Sequence, residues 1–163
     1  MSELSESETT EVELAVVAYL DADEWVVAEM GSEIANLAEI VRELHRYPGD
    51  AGVLALICVE EDFALVVRQH DDDVRVLLSD ATAAEDDPLA RSVVDHLGLP
   101  VEDDDDVMPA GDLAIVADLG MSAAEMGELL DDDELFPDEL LSEIADALGF
   151  GEAFDELAGL DDE

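Results

Sequence analysis

Lysine is absent from the chain, and its cationic side rests on five arginines: Arg42, Arg46, Arg68, Arg75 and Arg91. Residues 92–163 contain neither Lys nor Arg. Without lysine there can be no G-x-x-x-x-G-K-[ST] phosphate loop, because that loop needs the ammonium group. Binding nucleic acid requires cations to neutralise phosphates. A chain of net charge −42 is therefore expected to repel RNA and anionic membranes, and to meet a basic surface or cations instead. Cysteine is reduced to Cys58, which excludes an internal disulfide and fits a reducing compartment. Aromatic residues make up 4%, so the core must be built from Leu, Val, Ile and Ala. No apolar run approaches the ~20 residues of a membrane span. Residues 1–11 have neither a positively charged start nor an apolar stretch, so no signal peptide is expected and the chain is read as cytoplasmic.

Hydrophobic residues nevertheless make up 49% and the mean hydropathy is +0.10. Low hydropathy with such a charge would imply disorder; this composition instead implies a folded core under a charged skin. High-GC coding or adaptation to high salt would produce the same acidic bias without a dedicated function.

Along the chain, residues 1–11 are expected to be a disordered acidic tail. Residues 12–20 and 25–28 are strand candidates around an Asp21-Ala22-Asp23 turn. Ile34, Leu37, Val41 and Leu44 repeat at helical spacing, which predicts a helix over 33–46 with Ser32 as N-cap. Three strands follow, at 53–59, 63–69 and 74–78, joined by connections short enough to make antiparallel hairpins. The second hairpin sets Arg68 opposite Arg75. It places Leu65, Val67, Val76 and Leu78 on one face and Val66 and Leu77 on the other. Both faces are thus apolar and need cover. Cys58 is expected to be an inert thiol in a central strand, packed near Phe63. Pro88 opens a second helix that Gly98 closes.

Residues 100–110 form an acidic linker. Residues 111–158 are helical: a short helix through Leu113, Val116 and Leu119, a helix with a Ser122–Glu125 capping box, and another beginning at Pro137 and ending at Gly149. Residues 159–163 are a second acidic tail. The fold class is α+β: a five-stranded antiparallel sheet with two helices in the order β-β-α-β-β-β-α, which resembles roadblock and profilin-like modules, over 12–99. A small all-helical C-terminal unit follows over 111–158.

The residues offer little for catalysis. His45, His70 and His96 are isolated in sequence, with no G-x-S-x-G or Cys–His context for a nucleophile. Zinc requires clustered Cys and His. An EF-hand requires Gly at its sixth position, and neither Asp103–Asp106 nor Asp131–Asp133 leads into one. No enzyme activity, catalytic residue, cofactor or metal site is expected. The clearest features are the acidic runs containing Asp103, Asp104, Asp105 and Asp106, and Asp131, Asp132, Asp133 and Glu134. They serve either as solvated connections or as a partner-binding surface that mimics nucleic-acid phosphates.

Several segments carry a resemblance. Gly111-Asp112-Leu113, Ala117-Asp118-Leu119-Gly120-Met121-Ser122, Asp131-Asp132-Asp133-Glu134-Leu135 and the ADALGFG stretch over 145–151 resemble the actinobacterial tRNA adenosine deaminase-associated proteins. Trp25, Glu60-Glu61-Asp62 and Leu77-Leu78-Ser79-Asp80-Ala81 agree, so the resemblance covers roughly residues 12–157. It implies a non-catalytic accessory protein that binds or regulates tRNA adenosine deaminase. The charge adds an expected mode of contact, apart from the resemblance: an enzyme that grips tRNA must show a basic groove, which the acidic runs would complement in sign. A zinc nucleoside deaminase needs H-x-E and P-C-x-x-C; with one cysteine and no H-x-E, this chain is not the deaminase itself. Two other readings stand beside this one: a roadblock-like homodimeric scaffold unrelated to tRNA, and a cation-buffering acidic protein. If the partner is the deaminase, Met126 and Phe136 are the candidate apolar anchors on the C-terminal helices, with core packing as the favoured role for each.

Overall fold

In a computed structural model of the chain, the described residues are 10–11, 14–22, 24–29, 33–34, 37–47, 52–59, 63–70, 73–80, 87–98, 110–131 and 136–158. Their elements, in chain order, are β1 (Thr10–Glu11), β2 (Leu14–Asp21), β3 (Glu24–Glu29), β4 (Glu33–Ile34), α1 (Leu37–Leu44), β5 (Val53–Val59), β6 (Phe63–His70), β7 (Asp73–Leu78), α2 (Pro88–Leu97), β8 (Ala110–Gly111), α3 (Ala123–Leu130), α4 (Pro137–Leu148) and α5 (Gly151–Ala158).

The five expected strands form one antiparallel sheet in the order β3-β2-β5-β6-β7, and the two-residue β8 extends it beyond β7. The β6–β7 register sets Arg68 opposite Arg75 and Val67 opposite Val76, as the hairpin spacing predicts. Alternation along the strands then divides the core into two layers. Val17, Ala55, Ile57, Phe63, Leu65, Val67, Val76 and Leu78 face one side, where α1 and α2 cover them with Leu37, Ile40, Leu44, Leu89 and Val93. Val16, Ala18, Leu54, Leu56, Cys58, Ala64, Val66 and Leu77 face the other, against residues of 115–154. The C-terminal helices therefore form the second cover of the sheet. α4 lies on β5 and β6, and α5 on β2 and β3.

Three local expectations need correction. Glu33 and Ile34 are a short strand paired with Thr10–Glu11, at the end of the expected tail, and the first helix begins only at Leu37. Ser32 lies outside the described residues. The cap arrives from elsewhere: the Leu37 amide donates to Ser92 Oγ of α2 at 2.9 Å. That hydroxyl in turn donates to the Leu89 carbonyl at 2.7 Å. A free helix N–H finds its acceptor on a neighbouring helix, which no local pattern announces.

Cys58 is fully buried in the central strand β5, as expected, but it does not pack near Phe63. The register sets Cys58 opposite Ala64 and Val59 opposite Phe63. The thiol therefore faces the C-terminal helices, while Phe63 belongs to the α1–α2 layer. An alkylating reagent should leave Cys58 unmodified in the native protein and label it stoichiometrically in denaturant. Mass spectrometry showing rapid native labelling would contradict the placement of β5.

The third correction concerns residues 113–120, which form successive turns and not the expected short helix. The amides of Ile115, Ala117 and Leu119 bond three residues back, to Asp112, Ala114 and Val116. In an α-helix the Leu119 N–H would bond the Ile115 carbonyl. Here the Leu119 amide bonds the Val116 carbonyl instead, and the Ile115 carbonyl accepts from Arg68 Nη1 at 2.9 Å, which ties these turns to the sheet.

Candidate functional site: an acidic helical face

Local capping rules position the outer layer. Ser122 and Glu125 form the expected capping box at the start of α3, with N···O distances of 3.0 and 3.2 Å. Pro137 starts α4, and Gly149 ends it with φ 109°, where the amides of Gly149 and Phe150 both bond the Ala145 carbonyl. The single tryptophan fastens this end to the sheet. Trp25 Nε1 of β3 donates to the Leu148 carbonyl at 2.9 Å, and its ring meets Phe150 at a centroid distance of 4.6 Å.

Two arginines fasten the other end. Arg68 is 5% exposed and grips Asp118 with both nitrogens of its fork, at 2.6 and 3.0 Å. This hydrogen bond holds the Asp118 carboxyl below its usual range, against a smaller opposing effect of burial. Arg75 lies at the surface with its Nε 3.7 Å from Asp112 Oδ2. A groove of about 340 Å³ beside it is lined by Val74, Arg75, Val76, His96, Leu97, Gly111 and Asp112. A hollow of about 40 Å³ is lined by Arg68, His70, Asp73 and Arg75. Asp112 and Asp118 offset the charge of both arginines here, so this corner holds the C-terminal layer to the sheet.

The outward side of that layer is anionic. Glu125, Glu128, Asp131, Glu139, Glu143, Asp146, Glu152 and Glu156 are exposed on or beside α3, α4 and α5. Beyond His96 the chain contains no Lys, Arg or His. All five arginines lie in or beside α1, the sheet strands and α2. Among the described residues, those of 111–158 that cover this face of the sheet carry carboxylates as their only ionisable groups. The absence of Lys and Arg beyond Arg91 was legible in the sequence; that the described residues of 115–154 pack on one face of the sheet was not.

Of the expected partner-binding acids, Asp131 is exposed where α3 ends, its amide donating to the Gly127 carbonyl at 3.1 Å. Asp103, Asp104, Asp105, Asp106, Asp132, Asp133 and Glu134 lie outside the described residues. Of the two candidate anchors, Met126 takes the core-packing role favoured for it, fully buried against the sheet, whereas Phe136 is 53% exposed. His45, His70 and His96 are exposed. Among the described residues no group of His, Cys, Asp or Glu is arranged to hold a metal ion, and no helix is long and apolar enough to cross a membrane.

The model of a family described as Rv3753c-like tRNA adenosine deaminase-associated protein matches residues 13–151. Protein Rv3753c of Mycobacterium tuberculosis (strain ATCC 25618 / H37Rv) is 34% identical over 133 residues, covering 78% of this chain and 77% of that protein. No solved structure matches the chain.

Proposed function

We propose a function from the premise that this chain belongs to the Rv3753c-like tRNA adenosine deaminase-associated protein family: it is a non-catalytic accessory protein whose acidic helical face binds the deaminase at the basic groove that receives tRNA. The family name supports the association. The observation that carries the mode of contact is the cation-free layer formed by α3–α5. An enzyme that grips tRNA must present cations to the phosphates, and a surface of carboxylates alone complements them in sign. The runs at Asp103–Asp106 and Asp131–Glu134 adjoin this layer in sequence and are acidic as well.

Charge of this kind acts mainly on encounter. Exposed acids steer a basic partner over distances that salt screens, with a Debye length of about 8 Å near physiological ionic strength. Binding of the purified chain to the deaminase, followed by surface plasmon resonance, should weaken steeply with added salt and compete with tRNA. Changing Asp103–Asp106 and Asp131–Asp133 to Asn should lower the association rate by about tenfold or more and change dissociation little. Failure to bind at any salt concentration would remove the proposal. Salt-insensitive binding would keep the partnership and move the contact away from the acidic face.

A further inference from the structure

Phe136 stands at the start of α4 with half of its side chain in solvent. Among the described residues it is the one large hydrophobic side chain exposed to solvent, at 53%. It occupies the N-cap of α4 with an extended backbone and gives the helix no side-chain cap. Asp87 and Ser122 do cap α2 and α3 with side-chain oxygens. At an N-cap, Ser, Thr, Asp or Asn stabilises a helix more than an apolar residue does. Only the backbone of Phe136 takes part, its amide donating to Glu139 Oε1 at 3.1 Å. Neither burial nor helix initiation accounts for the ring.

Its setting accounts for it better. Asp138 and Glu139 lie in the first turn of α4, and the Glu139 carboxylate accepts from the Phe136 amide at 3.1 Å. An aromatic ring in solvent beside carboxylates matches the anatomy of a binding hot spot, where an aromatic anchor is surrounded by groups that orient the partner. We propose that Phe136 is the anchor by which the acidic face holds a basic protein surface, its ring entering an apolar slot or stacking on an arginine of that surface. A second copy of this chain is a poor occupant, since each copy brings a net charge of −42 and like charges oppose the contact. The inference rests on the functional reading above and adds to it the residue that keeps the complex together once charge has assembled it.

The test uses the full chain and purified tRNA adenosine deaminase at low salt. Phe136→Ser, and Phe136→Thr as a second variant, place a good capping residue at the position, so the melting temperature should not fall. Both should raise Kd at least tenfold through faster dissociation, with the association rate unchanged, the reverse of the pattern expected for the acid-to-Asn variants. Unchanged affinity in both variants would overturn the anchor while leaving the deaminase partnership intact. If the wild-type chain does not bind the deaminase, both readings fall. Concentration-dependent self-association in sedimentation, abolished by Phe136→Ser, would assign the ring to a second copy and overturn the basic partner.

Discussion

A chain cut after residue 99 is expected not to fold. It would retain all five long strands with α1 and α2, but one whole face of the sheet would lie open to water. Val16, Leu54, Leu56, Val66 and Leu77 are each at most 2% exposed, and their cover comes from Ile115, Val116, Leu141, Ile144, Phe154 and their neighbours. Burying one such side chain contributes about 1.5–3 kcal/mol. The loss over five is on the order of 10 kcal/mol, comparable to the whole stability of an ordinary domain at about 5–15 kcal/mol. The fragment should show no cooperative thermal transition by circular dichroism and should bind a hydrophobic dye, whereas the full chain melts in one step. A cooperative melt of the fragment would show that the first 99 residues are stable without the C-terminal helices.

Replacing Arg68 by Gln should cost about 2–4 kcal/mol, while Arg75→Gln should cost less than about 1 kcal/mol. The two residues are paired in the β6–β7 register, yet they sit in different surroundings. Arg75 is half exposed and 3.7 Å from its acid, so solvent screens the interaction. Arg68 is buried, and its loss orphans the Ile115 carbonyl and releases Asp118. The direct charge contribution is moderated because the Asp118 side chain is 61% exposed.

Acid titration separates these contributions. Arg68 lowers the pKa of Asp118 in the folded chain. The stabilisation is therefore complete above the unfolded carboxylate value and is lost as pH falls through the lower, folded one. The stability gap between wild type and Asp118→Asn, read from urea denaturation, should narrow on acidification below about pH 4. The comparison within pairs matters because protonating the other acids also relieves self-repulsion in every variant. A penalty for Arg68→Gln no larger than for Arg75→Gln would contradict the buried fork.

Local pattern carried much of this fold. Alternation along 63–78 assigned Leu65, Val67, Val76 and Leu78 to one face and Val66 and Leu77 to the other, and the observed core layers agree. The Ser122–Glu125 box, Pro137 and the left-handed Gly149 act within a few residues of themselves, so their roles could be read directly. Where a distant group intervenes, the same rules fail. Residues 113–120 have helical spacing but form turns, and the Ile115 carbonyl accepts from Arg68, 47 positions away in sequence. The start of α1 depends on Ser92, 55 positions from Leu37. Met126 and Phe136 looked equivalent as anchors until packing buried one against the sheet and left the other in solvent.

By itself, the sequence determined the sign of the surface, the alternating faces of the strands, the antiparallel hairpins and the absence of the motifs that a zinc deaminase requires, because each follows from composition or from neighbours a few residues apart. Only the tertiary structure decided that the C-terminal helices are the second cover of the sheet. It also decided that one of two paired arginines is buried and that the described residues of the cation-free stretch cover one face of the sheet. These depend on which distant surfaces meet, and apolar burial drives that meeting without specifying in any local pattern which partner a given face will find.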